Sequence, residues 1–302
     1  MYHEIQMADN RDIDGFLLSS DCWEIHLGFG ISELYRYWED CRLRSEGFSY
    51  DELGIAKRRH EQRPIIIDSD AHFVEGATIY QQSETPLNSI ALLKLSGVMR
   101  SQDGISTRGM DSMIGDLRAA YSNSNIKGVI IETNSGGGES LAGTMLKSAI
   151  SERNKPVVGF GHMVASAAYR ALSGADEIGL SGNGSESGSI GTMISMDRKT
   201  LEDYKARYMD FYGATAPEKN SEYRSAVQGI FEGLQARVNE KTVQFQNEIR
   251  DERNLRGGTA KVAETLNGAM YAAEQSKIRG LSDWTGNMNY AIKRVNALRA
   301  KY

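Results

Sequence analysis

The sequence predicts an α/β protein built on a mostly parallel sheet. Three observations carry that expectation. Val129-Ile130-Ile131 is an unbroken apolar run, as in a parallel strand covered on both faces. Apolar residues at helical spacing flank it, Met110, Met113, Ile114, Leu117 and Tyr121 before and Leu141, Met145, Leu146 and Ala149 after. Val157 and Val158 then start another strand, and strand, helix and strand within about 30 residues form a βαβ unit with a right-handed crossover.

Taken in order, residues 1–85 differ from the rest and are expected to form an N-terminal extension, an arm that is partly helical. Ser32 to Gln62 is rich in Glu, Arg and Tyr and reads as exposed, partly helical structure. Pro64, a short strand at Ile65-Ile66-Ile67 and a polar stretch to Pro86 complete it. Residues 86–302 form the second unit. Ser89 to Val98 is strand-like, followed by the helix, strand, helix and strand above. Ile190 to Met196 is expected to be a further strand. Val227, Ile230, Phe231, Leu234, Val238, Phe245 and Ile249 mark one long helix, from about Glu222 to Arg253, ended by Gly257-Gly258. No internal repeat or low-complexity segment interrupts the pattern.

Composition narrows the function classes. With 40% hydrophobic and 25% charged residues the chain reads as an ordinary soluble globular protein. A net charge of −5 gives no electrostatic case for a nucleic-acid partner. Cys22 and Cys41 form neither a disulfide framework nor a metal-ligand spacing, and reduced thiols point to the cytoplasm. Met1 to Leu18 carries acids and polar residues where a signal peptide needs an apolar core. No run of about 18 apolar residues suits a membrane span, so no membrane partner is expected.

Several catalytic motifs are missing. There is no G-x-S-x-G elbow and no Walker P-loop. His3-Glu4 and His60-Glu61 both lack the second histidine of a zinc protease. Gly159-Phe160-Gly161 opens a dinucleotide fingerprint but has Val164 where the third glycine belongs. Five scattered histidines, of which only His162 lies near a glycine-rich turn, leave a Ser-His-Asp triad little to stand on.

Three turns remain. Asn134-Ser135-Gly136-Gly137-Gly138 follows a strand. It reads either as a strand-to-helix turn using glycine's freedom or as a cradle of bare N–H groups for an anion. Ala165-Ser166-Ala167-Ala168-Tyr169 reads either as a capped, alanine-packed helix or as a hydroxyl at the positive end of a helix dipole, among small neighbours that leave room for a peptide backbone to approach. Gly188-Ser189-Ile190-Gly191 is the third, with Lys219 downstream in Ala216-Pro217-Glu218-Lys219-Asn220. A serine nucleophile needs a base within hydrogen-bond reach, and a lysine serves if burial keeps it neutral. His162 reads as a packing residue or a wall of a substrate site; Tyr271 and Trp284 read as core anchors.

At these residues the chain resembles the signal peptide peptidase A family of serine proteases, within the Clp-protease/crotonase superfamily. The resemblance runs from about Ser89 to Trp284. It takes in the Asn-Ser-x-Gly-Gly turn, the Ala-Ser-small-small-Tyr turn, Ala175-Asp176-Glu177-Ile178, Gly188-Ser189-Ile190-Gly191, and Gly268-Ala269-Met270-Tyr271 leading to Gly280-Leu281-Ser282-Asp283. The Ser-Ala-Ala-Tyr form and the section containing Trp23 resemble the bacteriophage branch, which includes head-maturation proteases that cleave scaffold and capsid proteins. The resemblance implies a crotonase-like spiral of ββα units, a peptidase domain over residues 86–302, no cofactor and no metal. It further implies a polypeptide substrate, a homo-oligomer with inward-facing sites, and action in the host cytoplasm or the prohead. By the same resemblance Ser166 matches the nucleophile, Lys219 the general base and Ser189 the hydroxyl that orients it. The N–H groups of Gly137 and Ala167 match the oxyanion donors, with Gly136, Gly138 and His162 beside the substrate. Two departures stand out. Gly136 replaces the usual proline, and the flanks of Lys219 are atypical, with Lys205 the nearest competitor upstream. The alternatives are an inactive capsid-assembly or scaffold protein on the same fold, or an acyl-CoA enzyme using Glu139.

Overall fold

The structure, a computed structural model, describes residues 22–49, 51–54, 61–104 and 108–302. Met1 to Leu18 and His60 therefore lie outside the described residues. In chain order the elements are β1 (Trp23–Ile25), α1 (Leu27–Ser45), β2 (Ile65–Ile67), β3 (Ser89–Ser96), α2 (Met110–Ser122), β4 (Ile126–Ser135), β5 (Gly137–Glu139), α3 (Ser140–Ser151), β6 (Val157–Ala165) and α4 (Ala167–Ser173). Then come β7 (Glu177–Leu180), β8 (Glu186–Gly188), α5 (Arg198–Arg207), α6 (Ser221–Val227), α7 (Glu232–Glu252), α8 (Gly258–Thr265), β9 (Met270–Ala272), α9 (Ala273–Arg279), β10 (Trp284–Thr285) and α10 (Met288–Leu298).

The main sheet has the order β10-β7-β6-β4-β3-β2, parallel from β10 to β3, with β2 antiparallel at the edge. β8 continues the parallel pairing along the last residues of β6, and β9 adds antiparallel to β8. The apolar run in β4 is continuous because each face has its own core. Val129 and Ile131 pack into the cluster with Leu117, Leu146, Tyr169 and Phe245. Ile130 packs on the other face with Val158, Phe160, Trp284, Ile292 and Val295. No helix among the described residues is long and apolar enough to cross a membrane.

Three sequence expectations need correction. Ile190–Met196 is not a regular strand: Met193 makes a single bridge, to Trp23, through bonds of 2.8 and 2.7 Å in the two directions. The long helix is two helices, because Gly229 adopts φ +84° between α6 and α7. Gly257, at φ +102°, is the residue before α8 rather than the stop of α7, which ends at Glu252. The strand starting at Val157 runs on to Ala165, so His162 lies inside it. Before residue 86, β1 pairs antiparallel with β5 and β2 with β3.

Trp284 closes the second core. Its ring stacks on Phe160 at 5.6 Å, and its indole N–H donates to Glu177 Oε2 at 2.9 Å. A Cβ on Gly179 would lie 2.1 Å from that ring, so the indole lies flat against bare backbone. Trp284→Ala is expected to lower the unfolding free energy by about 3–5 kcal/mol, read as a lower urea midpoint at unchanged slope.

Candidate active site

Ser166 is the single residue between the end of β6 and the start of α4. Its backbone sits at φ 55°, ψ −121°, which costs an L-residue of order 1–3 kcal/mol. Two bonds hold it there. Its N–H donates to Gly188 O at 2.9 Å, and its carbonyl accepts from Arg170 N at 2.9 Å. Ser166 is fully buried, as are Ala165, Ala167 and Ala168 around it. The hydroxyl makes no capping bond, and Oγ has no hydrogen-bond partner among the described residues. A buried, unpaired hydroxyl costs a further 1–3 kcal/mol or so. Backbone strain and an unmade side-chain bond thus coincide on one residue, which a merely structural cap does not explain.

The glycine turn lies against it. Gly137 has φ +98°, and a Cβ there would lie 2.8 Å from Ala167 N and 2.9 Å from Ser166 Cβ. Only glycine allows that approach. The Gly137 N–H donates to Ser135 Oγ at 3.1 Å, and Ser135 Oγ donates to Gly97 O at 2.7 Å. A Cβ on Gly136 would meet the Phe29 ring at 2.5 Å, so the ring fills the space that a proline would need. Gly138 is pressed on Met99, whose carbonyl oxygen would lie 2.1 Å from an added Cβ. Glu139 is already engaged: Oε2 accepts from Ser101 N at 2.6 Å, and Arg100 lies near its other oxygen.

On the other side, Gly188 pairs with Ala165, and Ser189 follows at φ 54°, half-buried, its N–H donating to Ala269 O at 2.9 Å. Ser166, Gly137, Ala167, Gly188 and Ser189 therefore gather at one end of the parallel strands. Gly136 and Gly138 flank Gly137 there. His162 is exposed on β6, at the bulge where the pairing with β4 shifts register. Lys219 is exposed on the turn before α6, its backbone N–H donating to Ala216 O. Lys205, on α5, is exposed too.

Lys155 is the buried lysine that burial alone singles out, its ammonium pushed down to about 8. Its Nζ donates to the carbonyls of Ala120, Asn123 and Ile126, each at 2.9 Å. Those lie where α2 ends and β4 begins, whereas Ser166 lies beyond the far end of β4. Ten strand residues, Ile126–Ser135, separate the two ends by roughly 30 Å, so Lys155 is a structural clamp. Asp68, Asp70 and His72 bring ligand atoms within 4.8 Å of one another. That cluster is explained by a surface turn, in which Asp68 Oδ1 accepts the N–H groups of Asp70 and His72.

Sequence reading missed Arg170 and Glu24. Arg170 is 2% exposed and Glu24 0%, and they form an ion pair across the site. Arg170 stands one turn beyond Ser166, the one charge in a small apolar run, which is the signal that marks it. Its Nε and Nη2 donate to Glu248 of α7 at 2.8 and 2.6 Å, and its remaining edge meets Glu24 Oε1. Ser140 Oγ donates to the same Glu24 oxygen at 2.8 Å. Burial pushes the Glu24 carboxyl up to about 7 against the pull of Arg170 and Ser140, and the nearby Glu248 adds repulsion. Burial also opposes charge on Glu248, but Arg170 and Lys147 outweigh it and hold that carboxyl below the ordinary range. One guanidinium thus serves two carboxylates, and the more buried one keeps its proton longer.

The chain is 24% identical over 218 residues to Protease 4 of Haemophilus influenzae, an alignment covering 70% of this chain and 35% of that protein. It is 28% identical over 180 residues to a Methanocaldococcus jannaschii protein whose name carries a provisional protease assignment, covering 58% of this chain and 57% of that one. The chain thus spans about a third of the first relative and little more than half of the second. Among solved structures, a ClpP1 mutant from Listeria monocytogenes aligns with a TM-score of 0.44 and 13% identity, over 66% of this chain and 94% of that one. No protein-family model matches the chain.

The Glu24 shift has a testable sign. Folding raises its pKa, so the native state holds the proton more tightly. Its contribution is full below the ordinary carboxylate value and is lost as pH climbs towards about 7. Glu24→Gln imitates the protonated form. Its Tm relative to wild type is expected to rise between about pH 5 and pH 8, checked by thermal unfolding across that range.

Proposed function

We propose that the chain is a serine endopeptidase, with Ser166 as nucleophile, Lys219 as general base and Ser189 positioning the lysine. The observation that carries the reading is the strained, fully buried Ser166, whose hydroxyl lacks a hydrogen-bond partner among the described residues. The two protease-named relatives support the reaction class. The Lys219 amine takes the Oγ proton as Oγ bonds to the scissile carbonyl carbon. The N–H groups of Ala167 and Gly137 hold the oxyanion, each worth about 3 kcal/mol of barrier. Gly137 donates to Ser135 in the resting chain, so that bond must be exchanged or shared. The lysine ammonium then protonates the leaving amine, and water releases the acyl group. No cofactor enters these steps. The substrate is a polypeptide; by resemblance it is a scaffold or capsid protein cleaved during phage head maturation.

Lys219 is exposed in the single chain. We assign it to the site of a second copy in a homo-oligomer. Tyr208, Met209, Phe211, Ile230 and Phe231 surround its turn in sequence and are all more than half exposed, which supports burial of this segment against another chain. The same exposure of Lys219 favours the competing reading, a capsid-assembly or scaffold protein that never completes a dyad.

Ser166→Ala and Lys219→Ala are each expected to reduce peptide hydrolysis roughly 10⁴-fold while the circular dichroism spectrum stays unchanged. Equimolar mixing of the two variants restores up to about a quarter of wild-type activity, the share of random interfaces with both groups intact. Full activity in Ser166→Ala removes the nucleophile. A mixture as inactive as its components, beside an active wild type, removes the shared site.

A further inference from the structure

We infer that the groove between β5 and Met193 is a peptide-binding groove with a carboxyl-recognising subsite at Arg170 and Ser140, and that the chain's own strand β1 fills it at rest. The inference rests on the reading of Ser166 as nucleophile for its consequence in catalysis, though not for its geometry.

β1 is only three residues long, yet both of its edges are bonded. On one side it runs antiparallel to β5, with Glu24 opposite Gly138 and Ile25 opposite Gly137. The pairing extends past both ends, His26 N donating to Gly136 O at 2.7 Å and Ser140 N to Cys22 O at 3.2 Å. On the other side Trp23 and Met193 exchange two bonds, of 2.8 and 2.7 Å. Those edges belong to residues remote in sequence, so the slot holds an extended backbone through main-chain bonds whatever its sequence.

The slot passes directly over the candidate nucleophile. A Cβ on Gly137 would lie 2.1 Å from Glu24 O, 2.8 Å from Ala167 N and 2.9 Å from Ser166 Cβ. A backbone carbonyl of β1 thus crowds the same point as the amide and the serine that would act on a substrate. Any other polypeptide reaching Ser166 has to displace this strand.

Side-chain selection comes from Glu24. Its carboxyl group is buried between Arg170 Nη1 and Ser140 Oγ. The other edge of the guanidinium is held by two bonds to Glu248, so Arg170 stays oriented when Glu24 leaves. A fixed, buried guanidinium beside a hydroxyl favours a carboxyl side chain over a cationic one. The substrates are therefore extended peptides with an acidic residue between two apolar ones, as in Trp23-Glu24-Ile25.

The test uses the full chain carrying Trp23→Ala and Glu24→Ala, in a Ser166→Ala background, and a fluorescein-labelled peptide Asp-Ser-Trp-Glu-Ile-His-Leu. Fluorescence anisotropy is expected to show binding at least about tenfold tighter than to the chain with its own strand intact. A Glu-to-Lys peptide should bind at least about tenfold more weakly than the Glu peptide. No saturable binding, or equal affinity for both peptides, overturns the inference. Should the double variant fail to fold, excess peptide added to the wild-type chain should speed amide exchange across Trp23–Ile25 and leave Gly138 protected; unchanged exchange at both overturns it. Hydrolysis, measured with Ser166 present, separates the two ideas. Peptide binding without hydrolysis in any variant keeps the groove and removes the nucleophile. Hydrolysis that releasing β1 does not raise, with no peptide binding, keeps the nucleophile and removes the groove.

Discussion

Everything near the candidate site depends on one enforced backbone conformation, that of Ser166. A strand must end and a helix begin within a single residue, and a positive φ at a non-glycine residue makes that sharp turn. Gly188 O and Arg170 N hold the residue from either side, so the parallel pairing of β6 with β8 and the first turn of α4 both act on it. The alanines on either side have no bulk to spare, and that brings Gly137 into contact across the turn. Small residues are therefore a geometric requirement here, and the buried hydroxyl is what they enclose.

Arg170 ties that turn to the rest of the molecule. It joins α4 to α7 through Glu248 and to β1 through Glu24, and its guanidinium stacks on Phe245 at 5.0 Å. A buried charge left without partners costs several kcal/mol, so two carboxylates on one arginine couple the position of β1 to the helix that carries Ser166. Phe29 adds an apolar tie, its ring filling the space over Gly136. The N-terminal segment is in this way part of the site's construction.

Local pattern carried much of this into the sequence. The apolar run of β4, the helices from Met110 and Ser140, and the small residues about Ser166 are set by neighbours in sequence, and the periodicity follows them. The glycine turn is legible for the same reason. What was not legible depends on distant partners. The β1–β5 pairing joins residues more than a hundred positions apart, and Glu24 meets Arg170 at a separation of 146. Ile190–Met196 has strand composition, but only Met193 finds a strand partner. The helix pattern about Gly229 is apolar on both sides of a residue whose φ ends the helix. Burial as a criterion for a neutral lysine points to Lys155, which three carbonyls hold at the wrong end of the sheet, and the single chain leaves Lys219 in solvent. The proposed nucleophile stands out by the small residues around it, whereas nothing in the sequence near Lys219 marks where its side chain lies.

The most direct measurement is covalent modification of the wild-type protein with diisopropyl fluorophosphate, located by peptide mass mapping. The account predicts one adduct, on Ser166, lost in Ser166→Ala and slowed in Lys219→Ala. An adduct at another serine, or a protein that hydrolyses peptides while Ser166 stays unmodified, would contradict it.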